Sequence, residues 1–395
     1  LGARGDGALV VRILHIGTDS FGGYGGIALF NRELITALAA HSDCEEVVVL
    51  PRLIPGVPER LPEKTTFVSE AARGRVAYVR ALRQVIRESN IDLVICGHVN
   101  LLPVARMAGQ RPLLITHGIE AWRPLRDAVS NHLVRKIRAV VSVSDVTRER
   151  FLAWSHFGGP SFVLPNAVRV ENYGIRPKRR DLIERWSLAG RRVVLTLGRI
   201  AASERYKGFD EMLEAMPALL RHDPTIVYVI AGSGDDVPRL QQKARDLGVS
   251  DSVRFTGFVA EDEKPDLYNL ADVYVMPSRG EGFGFVFLEA MACGIPVIAS
   301  SLDGGREAIR RGELGQLVDP TSPAEIRTAI CDTLDAAAPK RVPEGLDFFS
   351  YANFEQRTHA IIDELQAANH GDEIALRAND GSARPAARRG DRGSA

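Results

Sequence analysis

The chain has 395 residues, with 50 Lys and Arg against 50 Asp and Glu, 45% hydrophobic and 25% charged residues. At roughly 100–200 residues per domain, this length predicts two or three domains, and the composition is globular and not that of a disordered chain. The zero net charge argues against a generic nucleic-acid binder held by a basic excess.

Taken in chain order, the first half alternates strands and helices. VVRILHIG (10–17) reads as a short buried strand and is followed by the loop GGYGG (22–26). The next segment has helical spacing, with Ile27, Phe30, Leu34 and Leu38 on one face. EVVVL (46–50), IDLVICG (91–97), PLLITHG (112–118), AVVSVSD (139–145) and FVLPN (162–166) are further strands. Near-continuous apolar runs between helical stretches indicate a parallel sheet covered on both faces. The polar stretch 168–181 reads as a linker. A second series follows: RRVVLTLGR (191–199), TIVYVIAGSG (225–234), SVRFTGF (252–258), ADVYVMPS (271–278) and IPVIASS (295–301). The expected architecture is α/β, with two Rossmann-like domains (1–172 and 173–345) facing across a cleft. A return helix within 346–370 and a disordered tail over 371–395 complete the division.

Cys44, Cys96, Cys293 and Cys331 form no C-x-x-C pair, which removes zinc-ribbon and thioredoxin signatures and suits a reducing cytosol. No apolar run reaches the roughly 18 residues that a membrane helix needs, and the first residues carry no secretory pattern.

Three constellations could carry chemistry. Gly23, Gly25 and Ala28 fit a dinucleotide fingerprint loosely, since glycines after a strand let backbone N–H groups approach a phosphate. A tight loop that opens a helix is an equal reading. Gly198-Arg199 and Lys207-Gly208 follow a strand and precede a helix, where α/β folds open their ligand crevice. An Arg fork and a Lys point charge there could clamp a diphosphate, whereas an isolated pair of this kind is more often two solvated cations. In EGFGFVFLEAMACGIPV (281–297), Glu281 sits in a loop and Glu289 on the helix after it. Both suit vicinal sugar hydroxyls, or else are a loop charge and a helix-dipole acid.

With THG (116–118), LPNAV (164–168), GRIAASERYKG (198–208), AGSGDD (231–236) and GGREAI (304–309), these pieces resemble the retaining GT-B glycosyltransferases of family 4, the glycosyl transferases group 1 family, over about residues 10–368. The resemblance implies transfer of a hexose from a nucleoside-diphosphate sugar to a saccharide acceptor, with no cofactor and no metal. It assigns Arg199 and Lys207 to the donor diphosphate, Glu289 to the ribose, Glu281 to the donor sugar and His117 to the active site. Gly22 and Gly23 would close on the diphosphate and acceptor. Gly232 and backbone groups of Phe283, Gly284, Phe285 and Val286 would complete the donor site. The segment between Arg199 and Lys207 resembles a polysaccharide-assembly subgroup that often uses mannosyl donors. Arg169 stands where the family commonly has Asp.

Residues 1–172 carry 21 basic and 16 acidic residues, residues 173–345 carry 23 and 26, and residues 346–395 carry six and eight. Arg80, Arg83 and Arg87 share one helix face, and Trp122, Arg123 and Arg126 lead into Arg135, Lys136 and Arg138. Basic helices near an aromatic can dock on anionic lipid, and a solvated charged face is the equal reading. Docking would put the chain in the cytoplasm, peripheral on the inner face of the cell membrane, with a lipid-linked saccharide as acceptor. Rivals are a GT-B sugar-nucleotide epimerase or phosphorylase, a non-catalytic sugar-nucleotide-binding subunit, and an NAD-dependent oxidoreductase resting on the glycine loop alone.

Overall fold

The computed structural model describes residues 11–336 and 338–380. Two all-parallel sheets carry the architecture. The first has seven strands: β1 (Val11–Gly17), β2 (Cys44–Pro51), β3 (Thr65–Phe67), β4 (Leu93–Cys96), β5 (Leu113–Thr116), β6 (Ala139–Ser142) and β7 (Ser161–Val163), in the order β3-β2-β1-β4-β5-β6-β7. The second has six: β8 (Arg192–Leu197), β9 (Ile226–Ala231), β10 (Val253–Gly257), β11 (Val273–Met276), β12 (Val297–Ser300) and β13 (Gln316–Val318), in the order β10-β9-β8-β11-β12-β13.

The central strands are buried on both faces. β4, β5, β6, β9, β11 and β12 have no residue outside the core, as their Val, Ile and Leu runs dictate. In each sheet the order reverses beside the first strand of the series, at β1/β4 and at β8/β11. An open α/β sheet leaves a crevice at such a switch point, beyond the carboxyl ends of the strands. The glycine loop follows β1, Gly198-Arg199 follows β8, and the loop to Glu281 follows β11, so both crevices carry the motifs read in the sequence.

The two halves share one apolar cluster. Phe30 of helix Gly26–Ala40 meets Phe354 edge-on at 5.7 Å, and Phe283 meets Phe349 at 5.5 Å. Helix Tyr351–Asp380 returns to the first domain: Ile361, Ile362 and Leu365 are buried, and His359 Nε2 lies 2.8 Å from the Ala37 carbonyl. This helix continues past Gly371, where the sequence reading starts a disordered tail. Residues 381–395 lie outside the described residues.

Arg169 acts across this junction. Its fork donates to both carboxylate oxygens of Glu33, at 2.9 and 2.7 Å, and its guanidinium stacks 3.7 Å above the Tyr351 ring. The Arg at this position therefore ties helix Gly26–Ala40 to the linker and to the return helix.

Candidate active site

A cavity of about 530 Å³ opens between the two sheets. Its walls include Asp19, Tyr24, Gly25 and Gly26 from the first domain, and Gly198, Arg199, Lys207, Gly232, Lys264, Phe285, Val286 and Glu289 from the second. The structure thus brings together Arg199, Lys207, Gly232, Phe285, Val286 and Glu289 from the sequence-based set. Gly232 has φ +125°, and a Cβ there would collide with the Gly198 carbonyl oxygen, so backbone alone can form this wall.

Arg199 and Lys207 both pair with Glu204. Arg199 bonds one carboxylate oxygen, and Lys207 Nζ lies 3.3 Å from the other. Arg199 is 71% exposed at its side chain, whereas Glu204 is 10% exposed. Glu289 is buried and held from two sides: Tyr268 Oη donates to it at 2.6 Å and Lys264 Nζ at 3.2 Å. Burial would lower the Lys264 ammonium, but the carboxylates of Glu289 and Glu261 outweigh it and hold the pKa above the usual lysine range. Tyr268 is pushed up by burial and by Glu289. Sequence reasoning missed Glu204 and Lys264. The signal for Glu204 was an acid inside the Arg199–Lys207 interval; that for Lys264 was a lone cation in EDEKP (261–265).

Other expected residues take different places. His117 is half-buried at the end of β5. Its Nε2 donates to the Gly97 carbonyl at 2.8 Å, and its ring stacks on His98 and meets Phe30 edge-on at 5.2 Å. Burial lowers the pKa of both His117 and His98, which keeps the imidazoles neutral. Gly22 donates its N–H to Glu59 at 2.7 Å and Gly23 donates to the Ser20 carbonyl at 2.9 Å, so these two amides are already engaged, and Tyr24, Gly25 and Gly26 form the wall instead. The Phe283 ring turns away toward Phe349 and lines a separate cavity with Phe348 and Arg357. Gly284, at φ +96°, is the residue before helix Phe285–Ala292.

Glu281 is half-buried in the loop between β11 and that helix. Its N–H donates to Asp303 at 2.8 Å, and Asp303 also accepts from Ser278 Oγ at 2.5 Å and from the Gly305 N–H at 3.0 Å. The neighbouring Gly282 touches the first domain: a Cβ on it would strike the His117 carbonyl, and Ser144 Oγ donates to its own carbonyl at 2.7 Å. Glu307 reaches across as well, accepting from the Asp145 N–H at 2.5 Å and the Val146 N–H at 2.9 Å, where helix Asp145–Ser155 begins.

Comparison with known proteins decides the family. Residues 24–172 match the family model described as Glycosyltransferase Family 4, and residues 191–336 match Glycosyl transferases group 1. The chain is 36% identical over 280 residues to the GDP-mannose-dependent alpha-(1-6)-phosphatidylinositol monomannoside mannosyltransferase of Mycolicibacterium smegmatis, covering 66% of this chain and 71% of that one. The chain belongs to the family 4, group 1 glycosyltransferases. This glycosyltransferase is also 30% identical over 215 residues to the alpha-D-kanosaminyltransferase of Streptomyces kanamyceticus, with 54% and 55% of the two chains covered. Among solved structures it resembles sucrose-phosphate synthase from Thermosynechococcus elongatus (TM-score 0.72, 21% identity, 91% and 100% covered) and HepE from Anabaena in complex with UDP and glucose (TM-score 0.68, 21% identity, 89% and 99% covered). The fold of the glycosyltransferase is therefore GT-B.

The basic residues of the first domain separate into two kinds. Arg80, Arg83 and Arg87 are exposed on helix Arg75–Glu88, around a groove with Val76, Val79, Ile86 and Met107. Trp122 is engaged internally: its Nε1 donates to Thr147 at 3.1 Å and Arg150 covers its ring at 3.9 Å. Arg138 donates to the Leu365 carbonyl of the return helix. The second basic cluster thus loses its aromatic and one of its arginines to packing. Among the described residues no helix is long and apolar enough to cross a membrane.

Proposed function

We propose that this glycosyltransferase moves mannose from GDP-mannose to a lipid-linked saccharide, with retention of the anomeric configuration. The observation that carries this reading is the pair of cations Arg199 and Lys207 in one cavity with the buried acceptor Glu289. The diphosphate lies against the two cations, and Glu289, aimed by Tyr268 and Lys264, accepts from the ribose hydroxyls. The amides opening helix Phe285–Ala292 add donors toward the phosphates. Gly232 lines the donor cavity, Glu281 faces the donor sugar, and His117 sits near the transferred carbon.

As the bond from the anomeric carbon to the phosphate oxygen breaks, negative charge grows on the leaving diphosphate. Preorganised cations in a partly dry cleft stabilise that charge more than the ground state, which lowers the barrier. Arg199 and Lys207 carry this neutralisation, so the step runs without a metal. Retention by double displacement needs two carboxylates about 5–5.5 Å apart across the bond. Glu289 is turned to the ribose and Glu281 serves as a hydroxyl binder for the donor sugar, so the acceptor hydroxyl attacks from the front face and passes its proton to the departing phosphate; a glycosyl adduct trapped on Glu281 would overturn this step. The GDP-mannose-dependent phosphatidylinositol monomannoside mannosyltransferase relative supports this choice of donor and acceptor, and the phosphatidyl-myo-inositol mannosyltransferase relative supports mannosyl transfer.

The enzyme acts peripherally on the cytoplasmic face of the membrane, docked through helix Arg75–Glu88. Incubation with a panel of nucleotide sugars and phosphatidylinositol monomannoside tests the reading. The expected product is an α-mannoside formed from GDP-mannose, at the same rate in EDTA. An epimerised donor, a β-mannoside or loss of turnover in EDTA would overturn the corresponding part.

A further inference from the structure

The two cations assigned to the diphosphate are not free in the empty cavity. Glu204 lies behind them: Arg199 and Lys207 line the cavity wall, and the Glu204 carboxylate pairs with both from the protein side. Glu204 is buried, and its backbone leaves helical geometry (φ −121°, ψ 29°) inside the turn Ala202–Lys207. Two like charges converging on one cavity repel, and a long Arg side chain that is 71% exposed would otherwise spend its time in solvent. A carboxylate behind them does two things at once. It fixes the direction of both side chains, leaving the remaining guanidinium and ammonium N–H groups for the ligand. It also cancels one of the two positive charges, so the cavity binds a diphosphate less tightly than two bare cations would.

We infer that Glu204 is a positioning residue that aims Arg199 and Lys207 at the donor diphosphate and limits how tightly the diphosphate product is held. The inference rests on the diphosphate reading of the cavity given above. Glu204 touches no reacting atom; it acts through the two cations. Because the same contacts hold product and donor phosphates, its removal separates affinity from turnover: binding strengthens while the chemical step and product release slow.

The test measures binding of GDP and of inorganic pyrophosphate by titration calorimetry, with steady-state kinetics, in the wild type and in Glu204→Gln. The expected result is a five- to tenfold tighter Kd for both probes, a lower KM for the donor and a kcat reduced at least tenfold. The affinity gain shrinks as salt rises, since it is a charge effect. An unchanged or weaker Kd in a variant that melts with the wild type would overturn the inference. Glu204→Asp keeps the charge but shortens the reach. It is expected to bind GDP within twofold of wild type with a reduced kcat, and tighter binding in that variant would also overturn the inference. If the wild type bound neither GDP nor pyrophosphate, the diphosphate reading itself would fall.

Discussion

Asp303 is fully buried and accepts three hydrogen bonds, from Ser278 Oγ and the Glu281 and Gly305 amides. Burial pushes its pKa up to about 7, and those donors pull the other way. In the native state it holds its proton up to about pH 7, whereas in the unfolded chain it ionises near 4. Between those values the native state binds more protons, so this group makes unfolding easier as pH rises through the window. Its contribution to stability is fully present below about pH 4 and declines by about 1.4 kcal/mol per pH unit until pH 7. Asp303→Asn, which mimics the neutral acid, removes that slope. Urea unfolding at pH 5 and pH 7.5 measures it: the stability gap between wild type and variant should move in favour of the variant at the higher pH. The same gap at both pH values would show that Asp303 stays ionised throughout. Because Asp303 holds the Glu281 amide, the same titration bears on the loop that carries a proposed donor-sugar residue.

At the scale of elements, helix Arg75–Glu88 divides cleanly. Tyr78, Ala81, Leu82 and Val85 face the core, while Arg80, Arg83 and Arg87 face solvent beside the exposed Val76. Each basic residue near an anionic surface contributes about 1 kcal/mol, so reversing three of them costs membrane binding at least about 3 kcal/mol, more than a hundredfold in partition. Sedimentation with phosphatidylinositol-containing vesicles should show the wild type bound at low salt and Arg80→Glu/Arg83→Glu/Arg87→Glu free. A wild type that stays in the supernatant would remove the docking proposal. Such elements show how far the sequence could be read. The buried strands announced themselves through Val and Ile runs, while β3 and β13, three residues each at the sheet edges, carry TTF and QLV and gave no run to detect. Arg199, Lys207 and Glu289 were legible because each sits within a few residues of a strand end or helix start. Lys264, Asp303 and Glu307 were not, because what gives them meaning lies elsewhere in the chain. Lys264 meets Glu289 25 residues away and Glu307 meets Asp145 162 residues away. The Phe283 ring packs on Phe349, 66 residues away in the chain, and that contact has no signal in the local sequence.

At the scale of the whole molecule, a cleft between two domains works only if their separation is controlled. The contacts that set it lie beside the site. Gly118 and Gly282 approach so closely that neither admits a side chain, and Ser144 Oγ bonds the Gly282 carbonyl. Ser144 caps the Thr147 amide of helix Asp145–Ser155 from its own segment, and Glu307 adds acceptors for the Asp145 and Val146 amides. This is a helix cap delivered from the other domain, and its net charge suits the positive end of the helix dipole. Losing such a cap costs typically about 1 kcal/mol. Here the loss falls on the closed arrangement alone, because in an opened molecule the same amides meet water. Glu307→Ala should therefore shift the open-to-closed balance about fivefold toward open. Small-angle scattering of the free enzyme should report a larger radius of gyration for the variant than for the wild type. The donor KM should rise several-fold with kcat little changed, because the closed state that reacts is the same once formed. An unchanged radius with an unchanged KM would show that Glu307 does not control closure.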